Sequence, residues 1–464
     1  MEIFKKSLNT FLFFLTSFIL YGTVINANYG ICKTQKSSLI CKPVSILSYP
    51  PKVVYNGIYD LYSTIKKGAS IKQLFKDGDL LGMVAKDNYL LKERFKSIDS
   101  GFNFAYQKGE RSNSGFILLS RADHLKNGKP SIELWDLNMQ RIVYSWDLRK
   151  AIEYTKNNSE KMRYFLNPLV LDDGSLIFNT QGGNNVLIKI DRFGEIKKIN
   201  QELSFHHSVN LGPEGNIYAT FGKAKREGYA ILDQNLEILE LFYLDDIYSK
   251  HNLLPRLYSS NSGDPTHIND VEPVINKQNN NDKSELVLIS LRSTSSIVLY
   301  NQKSKKIVSI FDGFVSQQHD VDVVNLDPLE ISIFDNNVLN ENRSLGNKVL
   351  FLKNLSRESN KDNTVNIYMP NSKEFRLSNI EKFVEDFSNL KKEERPKTKS
   401  SGLSEYNKIY NSIIVEESNY GRVFEYDIDT GEIVWSFLNT GIEKKNFWRM
   451  SWSRLYLENP IKSD

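Results

Sequence analysis

The segment Ile132-Glu133-Leu134-Trp135-Asp136 breaks at a polar turn and resumes as Arg141-Ile142-Val143-Tyr144-Ser145-Trp146. The same grammar returns as Leu187-Ile188-Lys189-Ile190-Asp191 into Glu195-Ile196, and as Tyr229-Ala230-Ile231-Leu232-Asp233 into Glu237-Ile238-Leu239. It recurs as Ile297-Val298-Leu299-Tyr300-Asn301 into Lys306-Ile307-Val308-Ser309-Ile310. A weaker copy is Val365-Asn366-Ile367-Tyr368 into Glu374-Phe375, and the last is Val423-Phe424-Glu425-Tyr426-Asp427 into Glu432-Ile433-Val434-Trp435. β-Branched and aromatic residues on both sides of an Asp- or Asn-rich turn read as a hairpin.

Each hairpin follows another strand-like run: Phe116-Ile117-Leu118-Leu119, Ser175-Leu176-Ile177-Phe178, Asn216-Ile217-Tyr218-Ala219, Leu286-Val287-Leu288-Ile289, Ile331-Ser332-Ile333-Phe334 and Ile413-Ile414-Val415. Turns such as Asp173-Gly174 and Gly212 to Gly215 imply a further strand before these. Four strands repeated six times predict an all-β, six-bladed β-propeller with loop and helix insertions. A β-helix would repeat in shorter, more regular units. Ile58 to Phe75 and Leu148 to Tyr164 read as helical, and Asn340 to Asn363 and Ser378 to Ser400 as charged insertions on the surface.

Aligning the repeats puts chemistry in register. The innermost strands open with Asn167-Pro168-Leu169, His207-Ser208-Val209, His267-Ile268-Asn269-Asp270 and His319-Asp320-Val321-Asp322. The chain has six histidines; three fall at this position and His206 adjoins one of them, while His124 and His251 lie off the register. Equivalent positions on neighbouring blades converge on the central channel, so these side chains are expected within about 10 Å of one another, the reach of groups meeting on one ligand. Arg292, Asn336, Tyr420 and Arg422 sit at nearby strand ends. Histidine and arginine together make a cup suited to an oxyanion, with Arg supplying a fork of donors and His a base or nucleophile near neutral pH.

The rest of the sequence bounds this reading. The 464 residues carry a net charge of +4, with both signs interspersed, which excludes a nucleic-acid electrostatic footprint. Lys5 and Lys6 precede the apolar run Phe11 to Ile25 and the small Ala27, the pattern of a secretory signal, cleaved or retained as an anchor. The expected organisation is a signal or anchor over residues 1–27, an N-terminal extension over 28–105 and the propeller over 106–464. The expected location is the periplasm or another exported compartment, with membrane attachment through residues 11–25 and a homodimer left open. Cys32 and Cys41 are the two cysteines; in an oxidising compartment they either pair or stay as free thiols. Walker A, GxGxxG, GxSxG and HExxH patterns do not occur, and no cofactor is expected. The histidines accompany Arg and Asn rather than extra carboxylates or thiolates, so a catalytic metal is not the favoured reading.

At these residues the sequence resembles the bacterial arylsulfotransferases that do not use a nucleotide sulfate donor. The matching stretches are Phe205-His206-His207-Ser208, Asp264-Pro265-Thr266-His267-Ile268-Asn269-Asp270, Ser290-Leu291-Arg292-Ser293, Gln318 to Asp322 with Ile331 to Asn337, and Glu416 to Arg422. The resemblance implies ping-pong transfer of a sulfuryl group from an aryl sulfate to a phenol through a sulfohistidine. It implies His319 as the sulfated histidine, His267, Asn269 and Arg292 as holders of the sulfuryl oxygens, and His206 or His207 as acid/base. Asn336, Tyr420, Arg422 and Asn167 are expected to line the substrate site. Two departures bear on substrate preference: Asn167 stands where relatives carry His, and Ser293-Thr294-Ser295 replaces a His-Gln pair. A non-catalytic propeller binding a small anionic or aromatic ligand or a protein, and a metal-dependent hydrolase or lyase on the same histidines, are the rival readings.

Overall fold

In a computed structural model, five four-stranded and one five-stranded antiparallel sheets are arranged as a six-bladed β-propeller. The structure describes residues 84–86 and 94–462, apart from 113, 124, 126–127, 158–163, 182–184, 223–225, 259–264, 276–284, 341–342, 356–380, 399 and 442–445. The signal-like segment, Cys32, Cys41, the helix expected over Ile58 to Phe75, His124 and the hairpin expected at Val365 to Phe375 lie outside the described residues. Among the described residues no helix is long and apolar enough to cross a membrane.

From the channel outward, blade 2 is Tyr164–Val170, Leu176–Gln181, Leu187–Ile190 and Ile196–Asn200. Blade 3 is Phe205–Leu211, Ile217–Gly222, Glu227–Leu232 and Ile238–Tyr243; blade 4 is Ile268–Pro273, Leu286–Leu291, Ser296–Asn301 and Lys306–Asp312. Blade 5 is His319–Leu326, Leu329–Asp335, Lys348–Leu355 and Glu381–Glu385, and blade 6 is Leu403–Asn407, Ser412–Glu417, Arg422–Asp427 and Ile433–Leu438. Gly101–Phe104 adds a fifth strand to the outer edge of blade 6. Blade 1 is completed from both directions: Phe116–Asp123, Lys129–Asp136 and Arg141–Ser145 receive the late strand Arg454–Tyr456 on their inner edge.

The strand sequences explain the stacking. Leu286-Val287-Leu288-Ile289-Ser290-Leu291 is fully buried because it has a core on each face. Val287, Ile289 and Leu291 pack against blade 3 residues such as Tyr229 and Phe242. Leu286 and Leu288 pack against Ile331 and Ile333 of blade 5. The period of two therefore splits one apolar run between two interfaces. Each of the six blade-to-blade contacts has its own apolar cluster. Burial of each such Ile, Leu or Phe contributes roughly 1.5–3 kcal/mol.

Two expectations are corrected. The third and fourth strands of blade 5 are Lys348–Leu355 and Glu381–Glu385, not the Val365 to Phe375 hairpin, so parts of both charged segments are blade rather than insertion. Lys348–Leu355 carries Val349, Leu350 and Leu352, which are buried and supply the apolar periodicity that its flanking polar residues obscure in the sequence. The helix expected to Tyr164 spans Arg149–Asn157, and Tyr164 already opens the inner strand of blade 2.

A ring of hydrogen bonds closes the propeller around the channel. Asn167 Oδ1 of blade 2 accepts from Val209 N of blade 3 at 2.7 Å. Ser208 Oγ accepts from Val271 N of blade 4 at 3.1 Å, and Asp270 Oδ2 from Val321 N of blade 5 at 2.9 Å. Asp320 Oδ2 accepts from Ser404 N of blade 6 at 2.9 Å, and Glu405 Oε1 from Leu455 N of blade 1 at 3.3 Å. The Tyr456 hydroxyl accepts from Val170 N of blade 2 at 3.1 Å, which completes the circuit. Inner strands have no neighbour on their channel side within a blade, and these acceptors satisfy N–H groups that burial would otherwise orphan.

Candidate active site

The mouth of each inner strand carries one non-glycine residue with positive φ: Asn167, His207, His267, Asp320, Ser401 and Trp452. Four of the inner strands also shift register there. Such a conformation costs on the order of 1 kcal/mol or more, and bulges of this kind re-aim side chains toward sites.

Around this strained rim three histidines meet. One ring nitrogen each from His207, His267 and His319 lies within 4.8 Å of the others. The ring centroids are 4.9 Å apart for His207 and His267, 6.2 Å for His207 and His319, and 6.5 Å for His267 and His319. His206 joins through Nδ1, 2.7 Å from His207 Nδ1. The convergence expected from the repeat register is therefore present, drawn from blades 3, 4 and 5.

The hydrogen bonds of His319 define its proton. Asn336 donates its amide to the Thr398 and Ser401 carbonyls, both at 3.3 Å, which turns Oδ1 toward His319 Nδ1 at 2.5 Å. Nδ1 therefore carries the hydrogen. Nε2 keeps the lone pair and accepts from Ser401 N at 3.1 Å. Burial, then Arg292, holds the imidazole well below the usual histidine range despite Asn336. His207 is held down in the same direction by burial and by His267, His206, His319 and Arg449. Both rings are neutral at neutral pH because an imidazolium there is poorly solvated and faces other cations.

Arg292 follows the second strand of blade 4, and its Nη2 donates to Gln317 Oε1 at 2.8 Å. Gln318 pins blade 5 to blade 4 through Ser290 Oγ and the Leu291 and Ser296 carbonyls. Asn269 is fully buried, donates to the Gln318 carbonyl at 2.7 Å, and has no partner for Oδ1 among the described residues.

Four residues expected to line the substrate site have protein partners in this structure. Asn336 orients His319 from a fully buried position. Asn167 spends its Oδ1 on Val209 N and Arg454 Nη2. Arg422 is fully buried, paired with Glu417 at 3.4 Å, bonded to the Glu394 carbonyl at 2.7 Å and stacked on Phe424. Tyr420 packs with Phe95, Ile98, Leu438 and Phe447, under the Arg94 guanidinium. For Arg422 the physical reason is plain: a buried guanidinium needs a carboxylate, and Glu417 lies across the hairpin.

Three neighbours carry no mark in the sequence pattern. Trp452 is fully buried with its ring 5.6 Å from His207 and 6.2 Å from His319. Its indole donates to Ser401 Oγ at 2.8 Å, and Glu416 holds the Trp452 and Ser453 amides at 2.9 and 2.7 Å. Ser401 caps His319, and Arg449 acts electrostatically on both His207 and His319. An indirect signal for Trp452 and Arg449 exists: blade 1 lacks an inner strand ahead of Phe116, so a late segment has to supply one.

Residues 248–440 match the family model of the arylsulfotransferases (ASST). Over that span the chain is similar to the arylsulfotransferases. The matched span contains His267, Asn269, Arg292, His319, Asn336 and Ser401, whereas His206, His207, Arg449 and Trp452 lie outside it. No curated protein matches the chain. Among solved structures, similar ones include a protein of unknown function from Bacteroides caccae, 12% identical, covering 73% of this chain and 98% of its own, with a TM-score of 0.42. A streptogramin B lyase is also 12% identical, covering 77% and 98%, with a TM-score of 0.38. The β-propeller domain of Cps50 (Swd1) from Myceliophteria thermophila is 9% identical, covering 76% and 99%, with a TM-score of 0.39.

Proposed function

We propose that the protein transfers a sulfuryl group from an aryl sulfate to a phenol by a ping-pong route through His319, acting after export. The observation that carries this reading is His319 itself: a buried neutral imidazole, its hydrogen fixed on Nδ1 by Asn336, its lone pair on Nε2, inside a segment similar to the arylsulfotransferases. In the first half-reaction Ser401 N releases Nε2, which attacks sulfur. The N–S bond forms as the S–O(aryl) bond breaks, and the phenolate leaves with the electron pair. The imidazole then carries positive charge, and its Nδ1–H bond to Asn336 Oδ1 stabilises that charge. Arg292 and His267 stand where negative charge on the sulfuryl oxygens needs placed donors. In the second half-reaction a neutral imidazole of the His206/His207 pair takes the proton of the accepting phenol as its oxygen attacks sulfur, and the N–S bond breaks back to neutral His319. The depressed pKa of His207 keeps it in the base form.

The test is release of 4-nitrophenol from its sulfate with and without added phenol. Acceptor-dependent release is expected, falling at least about a thousandfold in His319→Ala. Equal release in water alone would replace transfer with hydrolysis. A second reading has its own observation: nitrogen atoms of His207, His267 and His319 within 4.8 Å of one another could hold a metal ion. Against it, both His319 nitrogens are engaged by Asn336 and Ser401. Stoichiometric metal in the purified protein, with activity lost to a chelator and restored by that metal, would favour this second reading.

A further inference from the structure

Of the two histidines at the mouth of blade 3, the proposed reaction needs one. In a regular strand consecutive side chains point to opposite faces, which would hold His206 and His207 apart. Two features bring them together. His207 has a φ of 59°, in the left-handed region, and the strand shifts register between Phe205 and Val209. Both backbone carbonyls are held in that shape. The Thr220 hydroxyl donates to the His206 carbonyl, and Asn179 Nδ2 donates to the His207 carbonyl at 2.6 Å. The rings then meet edge to face, with centroids 4.9 Å apart and Nδ1 2.7 Å from Nδ1. Two lone pairs would repel at that distance, so one hydrogen lies between the two nitrogens. The same strained position recurs in the other five blades, but in none of them are both this residue and the one before it histidines.

The two members face different surroundings. His207 is the one whose ring meets those of His267 and His319. With Nδ1 turned to His206, its Nε2 is the nitrogen left for a substrate. His319 is held in a parallel way, by Asn336 Oδ1 on Nδ1. The partners differ in what they can do. An amide oxygen accepts a hydrogen bond and does not take the proton away, whereas an imidazole nitrogen does both. Burial, and then His267, His206, His319 and Arg449, oppose a charge on His207. A proton passed on to His206 leaves His207 neutral.

We propose that His206 and His207 form a two-histidine proton relay, in which His207 Nε2 takes the proton of the accepting phenol while His207 Nδ1 hands its own proton to His206 Nδ1. The inference rests on the sulfuryl-transfer reading and gives the two histidines separate tasks. As the phenol oxygen bonds to sulfur and the bond from sulfur to His319 breaks, the O–H proton moves to His207 and the Nδ1 proton moves to His206. The positive charge lost by His319 reappears on His206, and His207 ends neutral. In the next first half-reaction the same path returns the proton to the departing phenolate.

The test compares two acceptors at pH 8.5, with 4-nitrophenyl sulfate as donor to the full chain. Phenol keeps its proton up to about pH 10, as the tyrosine ring does. 4-Cyanophenol is mostly ionised at the working pH and has no proton to give. His206→Asn offers an oxygen in place of Nδ1, which accepts the hydrogen bond without taking the proton. Transfer to phenol is expected to fall at least about tenfold in this variant, and transfer to 4-cyanophenol to stay within about threefold. No loss with phenol, or an equal loss with both acceptors, overturns the relay. The wild type supplies a second measurement, independent of how the variant folds. NMR of protein with isotopically labelled histidine is expected to show a scalar coupling between the two Nδ1 atoms across the shared hydrogen, and its absence also overturns the relay. A wild type that transfers to neither acceptor removes the proposed reaction and the relay together. Transfer without the acceptor-selective loss removes the relay alone.

Discussion

The mouth of the channel and the wall just below it are built from the same inner strands, yet their charges are opposite. At the mouth stand His206, His207, His267 and His319 with Arg292 and Arg449. Along the wall stand Asp270, Glu272, Asp320, Asp322 and Glu405, around Arg454, which donates to Asn167 and Asn210. Burial acts on both regions and pushes both toward neutrality, by removing protons at the mouth and retaining them on the wall. His207 and His319 are pushed down. Asp270 is pushed up to about 7 by burial and by Glu272, and Asp320 is pushed up by burial, Asp322 and Asp270. What separates the two is employment. On the wall Asp270, Asp320 and Glu405 each accept an amide of the next blade, whereas at the mouth His206 and His207 face each other through their ring nitrogens.

That contrast can be broken at either end. The largest effect on catalysis outside His319 is expected at Asn336. Asn336→Ala removes the partner of Nδ1 and frees the imidazole to change tautomer, so kcat should fall on the order of a hundredfold while stability falls by only about 1–2 kcal/mol. Loss of the pH-independent plateau in the kcat profile would mark the positioning role, which a purely structural residue would not show.

The ring should behave in the opposite sense. Asn167→Ala leaves Val209 N and Arg454 without their shared acceptor. Chemical denaturation should report a loss of roughly 1–3 kcal/mol, with kcat/KM per folded molecule changed much less than in the Asn336 variant. A kcat/KM loss as large as that of Asn336→Ala would return Asn167 to the substrate site.

The smallest effect is one of pH. Folded Asp270 keeps its proton up to about pH 7, whereas the unfolded chain releases it near 3.8. Its contribution to stability is present below pH 3.8 and is lost as pH rises toward 7. The buried histidines work the other way, stabilising above pH 6.5 and losing that contribution as the pH falls. The stability of Asp270→Asn relative to wild type should therefore improve between pH 5 and pH 8. A difference that is flat over that range would show that Asp270 titrates normally.

Much of this architecture is legible in the sequence. Apolar runs broken by Asp- and Asn-rich turns mark the outer hairpins, because period-two burial writes itself directly into the chain. The histidines are legible because they recur at one repeat position, and a repeat converts sequence distance into adjacency. Blade 5 is not legible where Lys348–Leu355 is followed by a long polar segment, which hides the distance to its partner Glu381–Glu385. The place of Arg422 is not legible because a strand-end arginine has the same sequence appearance whether it meets a ligand or, as here, Glu417. Trp452, Ser401 and Arg449 stay hidden because their places depend on how the circle closes, a property of the whole chain rather than of any window.

That closure also sets a clock on the protein's biosynthesis. The late strand Arg454–Tyr456 pairs with Leu118, Ile117 and Phe116, and the approach to it delivers Arg449 and Trp452 to the histidines. A nascent chain with five blades already made still has an open ring and an unwalled cup. The site comes into being in the same event that locks the fold, once residue 456 has been synthesised and has found its partner.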